Sequence, residues 1–455
     1  MNKNKEVINP SESKNLKVPE NVLIAGHNVY LSKDSFSTGL NNNVLVVGTS
    51  GGGKTRYFVK PNIMNAEGSF IVSDPKGNLH TQYEAYLKDK GYDVKKVSFI
   101  HPENSLHFNP IPLCRNTQDI QKLSHALVYG LNGNGSRRTQ DPFWDETTQI
   151  LFNALIGYIL ENDEIKEKDK NLTTLIKLIP ELKRENENPR TECPLKQRFE
   201  RHKRNYEINK SKESWAYRRF EEFSTAPYKT YQTIVVCSLA KLCSFDTVEL
   251  REMLKDNDID FTQIGIKKTA LFIEVSDSDR SMDTLVNLFY TCVMNQLCSY
   301  ADEKCKDSRL PIPVQFILDD FATNARIDNF ENMISNIRSR NISASIMVQS
   351  EAQLKAGYAE SANTIIDNCN TYIFMGTNNP EMASVIAERA NKTAQTIINM
   401  PVGMQWVFRR GSAPIYCKQF DYEWFCEEKG LTKVSKKQKT KSKNKEKDTI
   451  IEEVA

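Results

Sequence analysis

VLVVGTSGGGKT, residues Val44 to Thr55, decides how the rest of the chain is read. The four apolar residues Val44 to Val47 suit a short parallel strand buried on both faces. The glycines that follow allow a turn so tight that successive backbone N–H groups converge on one anion. Gly48, Thr49, Ser50, Gly51, Gly52 and Gly53 would form that cradle, and Lys54 would open a helix whose positive end faces the same anion. The order Gly48, four residues, then Gly53, Lys54 and Thr55 is the spacing of a P-loop. In that chemistry Lys54 neutralises the β- and γ-phosphates of ATP, and the Thr55 hydroxyl ligates Mg2+. The alternative is a glycine-rich turn between strand and helix that holds no ligand.

The bulk numbers bound the rest. A chain of 455 residues can build two or three domains, and 39% hydrophobic with 26% charged residues excludes global disorder. No window approaches the ~20 apolar residues needed to span a bilayer, so ILFNALIGYIL reads as a buried helix. The polar, Asn/Lys-rich N-terminus has no secretory pattern. Ten cysteines include no Cys-x-x-Cys pair and suit reduced, mostly buried cytosolic thiols. The six histidines have no metal-ligand spacing with one another or with the cysteines, so no zinc site is expected. From Leu431 onward eight lysines face four acids, and this +4 against a total of +3 leaves the body at −1. Any DNA-binding surface must therefore be local.

Along the chain, residues 1–20 read as a disordered arm, and 21–117 as the first part of an α/β nucleotide-binding domain. GSFIVSD and DVKKVSFI are strands there, and LHTQYEAYLKDKG is a helix. Pro61 should interrupt the P-loop helix. Residues 118–255 lose the strand signal and read as an all-α insertion. Alternation resumes over 256–430 with TALFIEV, VQFILDD, SASIMVQS and TYIFMGT, closed by a hairpin in WVFRRGSAPIYCKQF. Residues 431–455 form a disordered basic tail. Strands alternating with helices at this spacing imply a mainly parallel sheet.

VQFILDDFA supplies the second half of a phosphate site, because P-loop ATPases hold Mg2+ and the attacking water with carboxylates at the end of a neighbouring strand. Asp319 would hold Mg2+ through a water and Asp320 would orient the attacking water; alternatively, Asp320 caps the next helix. Gln349, at the tip of the following strand, is placed to sense the γ-phosphate. Arg338 and Arg340, in NIRSRNIS, read either as solvated charges at a helix C-terminus or as a trans-acting arginine finger.

GTSGGGKT, SDPKGNL (Ser73–Leu79), HFNPI (His107–Ile111), DPFWDETTQILF (Asp141–Phe152), FILDDFA and RSRNISASIMVQSEAQL together resemble the type IV secretion coupling proteins, the conjugative DNA-transfer ATPases. The similarity runs from about Asn21 to Phe425, in order. It implies a RecA-like P-loop ATPase domain with an inserted all-α domain, binding ATP and Mg2+ and assembling as a homo-hexamer with ATP sites between subunits, or remaining monomeric without DNA. It implies single-stranded, relaxase-bound DNA as cargo, with relaxase, accessory proteins and a membrane channel or anchor protein as partners. Under the resemblance Arg338 becomes the better finger candidate.

Two departures stand out. The family usually has Asp-Glu where this chain has Asp319-Asp320, so the water-orienting acid is one methylene shorter. Family members also usually begin with transmembrane helices, and none is expected here, so either the membrane anchor is a separate protein or this is a soluble, cytoplasmic variant recruited to the channel at the inner face of the membrane. The segment Lys196–Arg219 carries nine Lys/Arg against three acids, interleaved with Phe199, Tyr206, Trp215 and Tyr217, and suits either single-stranded DNA or a solvated helix surface. The expected function is an ATP-driven DNA translocase and coupling factor for conjugative transfer. The alternatives are an ATP-switched adaptor that recruits protein cargo and a pump for double-stranded DNA.

Overall fold

The computed structural model describes residues 17–129, 142–183, 193–276, 278–322 and 326–431. The expected N-terminal arm lies outside the described residues apart from 17–20, the basic tail apart from Leu431, and Asp141 of the DPFW motif wholly. The chain divides into two compact units, residues 1–67, 81–92 and 369–455 forming one and residues 68–80 and 93–368 the other. Eleven strands occur among the described residues: β1 (Val22–Gly26), β2 (Val29–Ser32), β3 (Val44–Val47), β4 (Ser69–Asp74), β5 (Asp93–Ser98), β6 (Thr269–Glu274), β7 (Val314–Leu318), β8 (Ile342–Val348), β9 (Thr371–Phe374), β10 (Met404–Arg409) and β11 (Ile415–Lys418).

In the first unit β3 runs parallel to β9, and β9, β10 and β11 continue the sheet as antiparallel neighbours. All four residues of β3 are buried, as its unbroken apolar run requires. The helix after the P-loop does not break at Pro61. It runs as a π-helical turn over Thr55–Val59 and continues as α-helix over Lys60–Asn65. Proline cannot donate to the carbonyl four residues back and its ring crowds that carbonyl, so the turn before it widens and the Lys60 N–H reaches the Thr55 carbonyl. Asn62 stitches this helix to β1: its Nδ2 donates to the carbonyls of Phe58 at 2.8 Å and Ile24 at 3.0 Å, and its Oδ1 accepts from the Ile24 N–H at 2.9 Å.

Lys33, also in the first unit, is buried, and its Nζ donates to the Glu67 carbonyl at 3.0 Å. Burial lowers its pKa from 10.5 to about 8, against the opposing charge of Glu67. The unfolded chain therefore holds this proton to higher pH than the folded one. The linked stability is present above the unfolded value and is lost as pH falls through about 8. Lys33→Met should flatten the rise in unfolding free energy over that alkaline window by about 2–3 kcal/mol in urea melts. An unchanged slope would mean that the ammonium reaches solvent in the folded protein.

The second unit carries five parallel strands in the order β8-β7-β4-β6-β5. Between β5 and β6 the described residues contain helices and loops but no strand. The helix Phe143–Glu161 is the most buried of these, and Gly157 lets Trp215 and Ala216 approach its backbone: a Cβ there would lie 3.1 Å from that of Ala216. HFNPI ties the two ends of this helical stretch together. Phe108 packs against Phe289 and Phe261, with ring centroids 4.9 and 6.1 Å away. Asn109 and Asn257 exchange amide bonds: the Asn109 N–H donates to Asn257 Oδ1 at 2.8 Å and Asn257 Nδ2 donates to the Asn109 carbonyl at 2.9 Å. The buried Asn109 Nδ2 also reaches the carbonyls of Lys170 and Lys255, at 2.9 and 3.2 Å. No helix among the described residues is long and apolar enough to cross a membrane.

Candidate nucleotide site

The cradle forms in the first unit at the end of β3. Gly51 and Gly53 have φ of 76° and 91°, which only glycine adopts without strain, so the turn depends on both. A Cβ on Gly53 would meet the Tyr57 ring at 2.3 Å, and one on Gly48 would meet Met375 Cβ at 2.9 Å. Lys54 is 7% exposed, and its Nζ donates to the carbonyls of Gly48 at 2.8 Å and Thr49 at 3.3 Å. The ammonium is thus folded back over the loop that it would serve. Thr55 begins the π-helical turn, with no acid in its first turn to repel an anion.

The carboxylates lie in the second unit. Asp319 follows β7 and is buried, its carbonyl accepting from Ser73 Oγ at 2.9 Å and its Oδ1 from the Asp320 N–H at 3.1 Å. Asp320 is half-buried with φ 49°, and the next helix among the described residues starts at Phe330 with Asn329, not Asp320, in the N-cap position. The Phe321 N–H bonds the Met347 carbonyl at 2.9 Å, so the chain after β7 stays beside β8, whose end carries Gln349. Asp319, Asp320 and Gln349 therefore share one edge of this unit's sheet.

Arg338 and Arg340 sit in a short 3-10 turn before β8, at the opposite edge of the same parallel strands, roughly 15–20 Å of strand away from Asp319. Arg340 makes a bidentate pair with Asp302, at 2.9 and 2.7 Å, and donates to the Asn336 carbonyl at 2.8 Å. The Asp302 bond also holds its guanidinium above the ordinary arginine value. Arg338 is exposed.

Sequence reasoning missed Glu274, which lies beside Asp74 of the SDPKGNL motif. The parallel register of β4 and β6 sets these two carboxylates opposite each other. Asp74 Oδ2 accepts from the N–H groups of Leu79 and His80, at 2.8 and 3.0 Å, which fixes the DPKGN turn. Burial pushes the Asp74 carboxyl up; those N–H bonds oppose the shift and Glu274 adds to it. Gly77 takes φ 64° in this turn, and a Cβ there, 1.8 Å from Glu274 Oε1, would push that carboxylate aside. His107, Asp256 and Asp258 bring three ligand-type atoms within 4.8 Å of one another at the HFNPI loop. Their bonds are already spent on the loop: the His107 N–H donates to Asp258 at 2.8 Å and Nδ1 meets Asp256 at 2.5 Å.

In the basic segment, Phe199 is buried and stacked on Phe220 at 4.1 Å, so it offers no face to a base. Lys203 lies over the Tyr217 ring at 4.3 Å and Arg219 near the Trp215 ring at 5.7 Å. Arg201, Arg204, Lys210, Lys212 and Arg218 remain exposed.

Solved structures share this fold. The bacterial conjugative coupling protein TrwBΔN70, in a trigonal form with sulphate, superimposes with a TM-score of 0.62 at 14% identity over 89% of this chain and 90% of that one. The plasmid coupling protein TrwB with the non-hydrolysable ATP analogue ADPNP gives 0.63 at 13% identity over the same shares. VirB4 of Thermoanaerobacter pseudethanolicus gives 0.53 at 13% identity, covering 91% of this chain and 100% of that one. No curated protein matches the sequence significantly. The sequence itself matches the family described as Type IV secretory system Conjugative DNA transfer over residues 1–396, and the chain belongs to that family.

Proposed function

We propose that the protein is a P-loop ATPase that couples ATP hydrolysis to DNA translocation, bringing relaxase-bound single-stranded DNA to a type IV secretion channel during conjugative transfer. The observation that carries this reading is the cradle itself: two left-handed glycines and a buried lysine folded over the turn, at the head of a helix, on a chain of the conjugative DNA transfer family. TrwB has been crystallised with ADPNP and with ADP and Mg2+, which supports the same ligands here.

Gly48 to Thr55 would bind the phosphates, with Thr55 on Mg2+ and Asp319 on the ion's water. Asp320 would orient the attacking water and Gln349 would read the γ-phosphate. Arg338 is the proposed finger, supplied to a neighbouring subunit of a homo-hexamer. Its exposure supports it over the half-buried Arg340. We assign the motor to residues 21–117 and 256–430 and the insertion to 118–255, with cargo or accessory proteins meeting the insertion. An anchor or channel protein would recruit the chain to the inner face of the membrane.

The test is ATP turnover by the purified protein with and without single-stranded DNA. Stimulation by DNA supports a translocase; turnover indifferent to DNA favours the adaptor. Asp320→Asn should keep nucleotide affinity but lower turnover roughly 10²-fold or more, because an isosteric amide cannot accept the water's proton. Wild-type turnover in this variant would remove Asp320 from the chemistry.

A further inference from the structure

The C-terminal segment of the first unit meets the phosphate cradle directly. Gln419, only 9% exposed, donates from Nε2 to the Gly52 carbonyl at 3.0 Å, and its Oε1 would lie 3.2 Å from a Cβ on Gly53. Its own backbone is fixed by a 2.7 Å bond from its N–H to the Gly403 carbonyl. The short helix after it, Tyr422–Glu428, is capped by Asp421, whose carboxylate accepts from the Trp424 N–H at 3.0 Å. That helix is in turn held to the elements around the P-loop helix. The Tyr422 hydroxyl bonds Gln82 at 2.7 Å and Tyr83 at 2.9 Å, Lys60 lies 5.5 Å from the Tyr422 ring, and Glu423 pairs with Arg56. The Gln419 amide is therefore presented by a braced segment.

A trans peptide points its C=O and its N–H in opposite directions. Holding the Gly52 carbonyl toward Gln419 therefore turns the Gly53 N–H the other way, away from Gln419. Two adjacent glycines have little backbone preference of their own, so nothing local prevents that peptide from flipping. Flipped, it would present a carbonyl to the phosphates where an N–H is needed.

We propose that Gln419 is a positioning residue for nucleotide binding: its bond to the Gly52 carbonyl pre-sets the Gly52–Gly53 peptide so that the cradle is formed before the phosphates arrive. The inference rests on the P-loop reading above. Pre-organisation acts on affinity, because the ordering cost is removed before the ligand binds. It is not a contact formed only in the transition state, so its loss should raise KM and spare kcat.

The test measures binding of a fluorescent ADP with Mg2+, together with KM and kcat for ATP, in the full chain. Gln419→Met keeps the length of the side chain and removes the donor; it should weaken nucleotide affinity roughly 2- to 12-fold, the worth of one hydrogen bond, with kcat at saturation within about two-fold. Gln419→Glu, which sets a carboxylate against the Gly52 carbonyl, should weaken it further. Glu423→Gln should bind as the wild type does, because the Arg56 pair is more than half exposed on both sides and such pairs contribute little. If Gln419→Met loses its thermal transition, Gln419→Asn, too short to reach the carbonyl, takes its place. Wild-type affinity in a folded Gln419 variant, while Lys54→Ala loses binding, overturns the proposal and leaves the P-loop reading standing. Absence of nucleotide binding by the wild type overturns both.

Discussion

Lys54→Ala is expected to lose ATP turnover by at least about 10²- to 10³-fold, and DNA transfer with it. The ammonium would meet charge that builds on the phosphates as the bond to the leaving group breaks, in a site where the lysine is already withdrawn from water. It is held by the carbonyls of Gly48 and Thr49. Nucleotide binding would exchange these neutral partners for an anionic one. Alanine deletes the charge and leaves two carbonyls without their donor, at a cost of about 1–2 kcal/mol in stability. A fall of a few degrees in the melting temperature should therefore accompany the kinetic loss, without loss of cooperativity. Undiminished turnover in this variant would end the P-loop assignment.

Two inactive variants should recover activity when mixed. Arg338 stands at the edge of its sheet opposite Asp319, with a strand's length between them, so a finger at this position suits an ATP held by another subunit. Arg338→Ala should lower turnover roughly 10³-fold, in line with the worth of such arginines. In mixed rings with Lys54→Ala, some interfaces would pair an intact cradle with an intact finger, and turnover should return to a measurable fraction of wild type. It should also rise steeply with protein concentration as rings form. Arg340→Ala serves as the control: it breaks the Asp302 pair and costs some stability, and turnover should stay near wild type. A mixture that stays inactive after demonstrated subunit exchange, or an inactive Arg340→Ala, would remove Arg338 from the role.

What the sequence discloses here is what chain neighbours decide among themselves. VLVV followed by glycines announces a buried strand and a left-handed turn, because burial and positive φ each restrict the residue types that fit, and both appear as expected. Asp319 could be placed at a strand end for the same reason. The carboxylate pair Asp74 and Glu274 could not be found this way, since it depends on which strand lies beside β4 and in what register. Asp302 quiets Arg340 from 38 residues away, and Gln419 reaches Gly52 across 367. Neither carries a local signature. Pro61 shows the limit from the other side: its chemistry was legible, but the helix absorbs it by widening one turn and recruiting the Asn62 side chain.

The exchange of amide bonds between Asn109 and Asn257 bears on the order in which the protein can be assembled. β5 must pair with β6, yet about 170 residues, the helical insertion among them, are synthesised between the two strands, on the order of 10–35 s of translation. Throughout that interval β5 has no partner on the β6 side. Once Asn109 and Asn257 meet, the chain still to be closed between the two strands shrinks to roughly two dozen residues. Loop-closure entropy grows with the logarithm of length, so the clamp removes about 1.8 kcal/mol from the cost of that pairing. The asparagine pair thus shortens the chain that the closing of β5 on β6 must span.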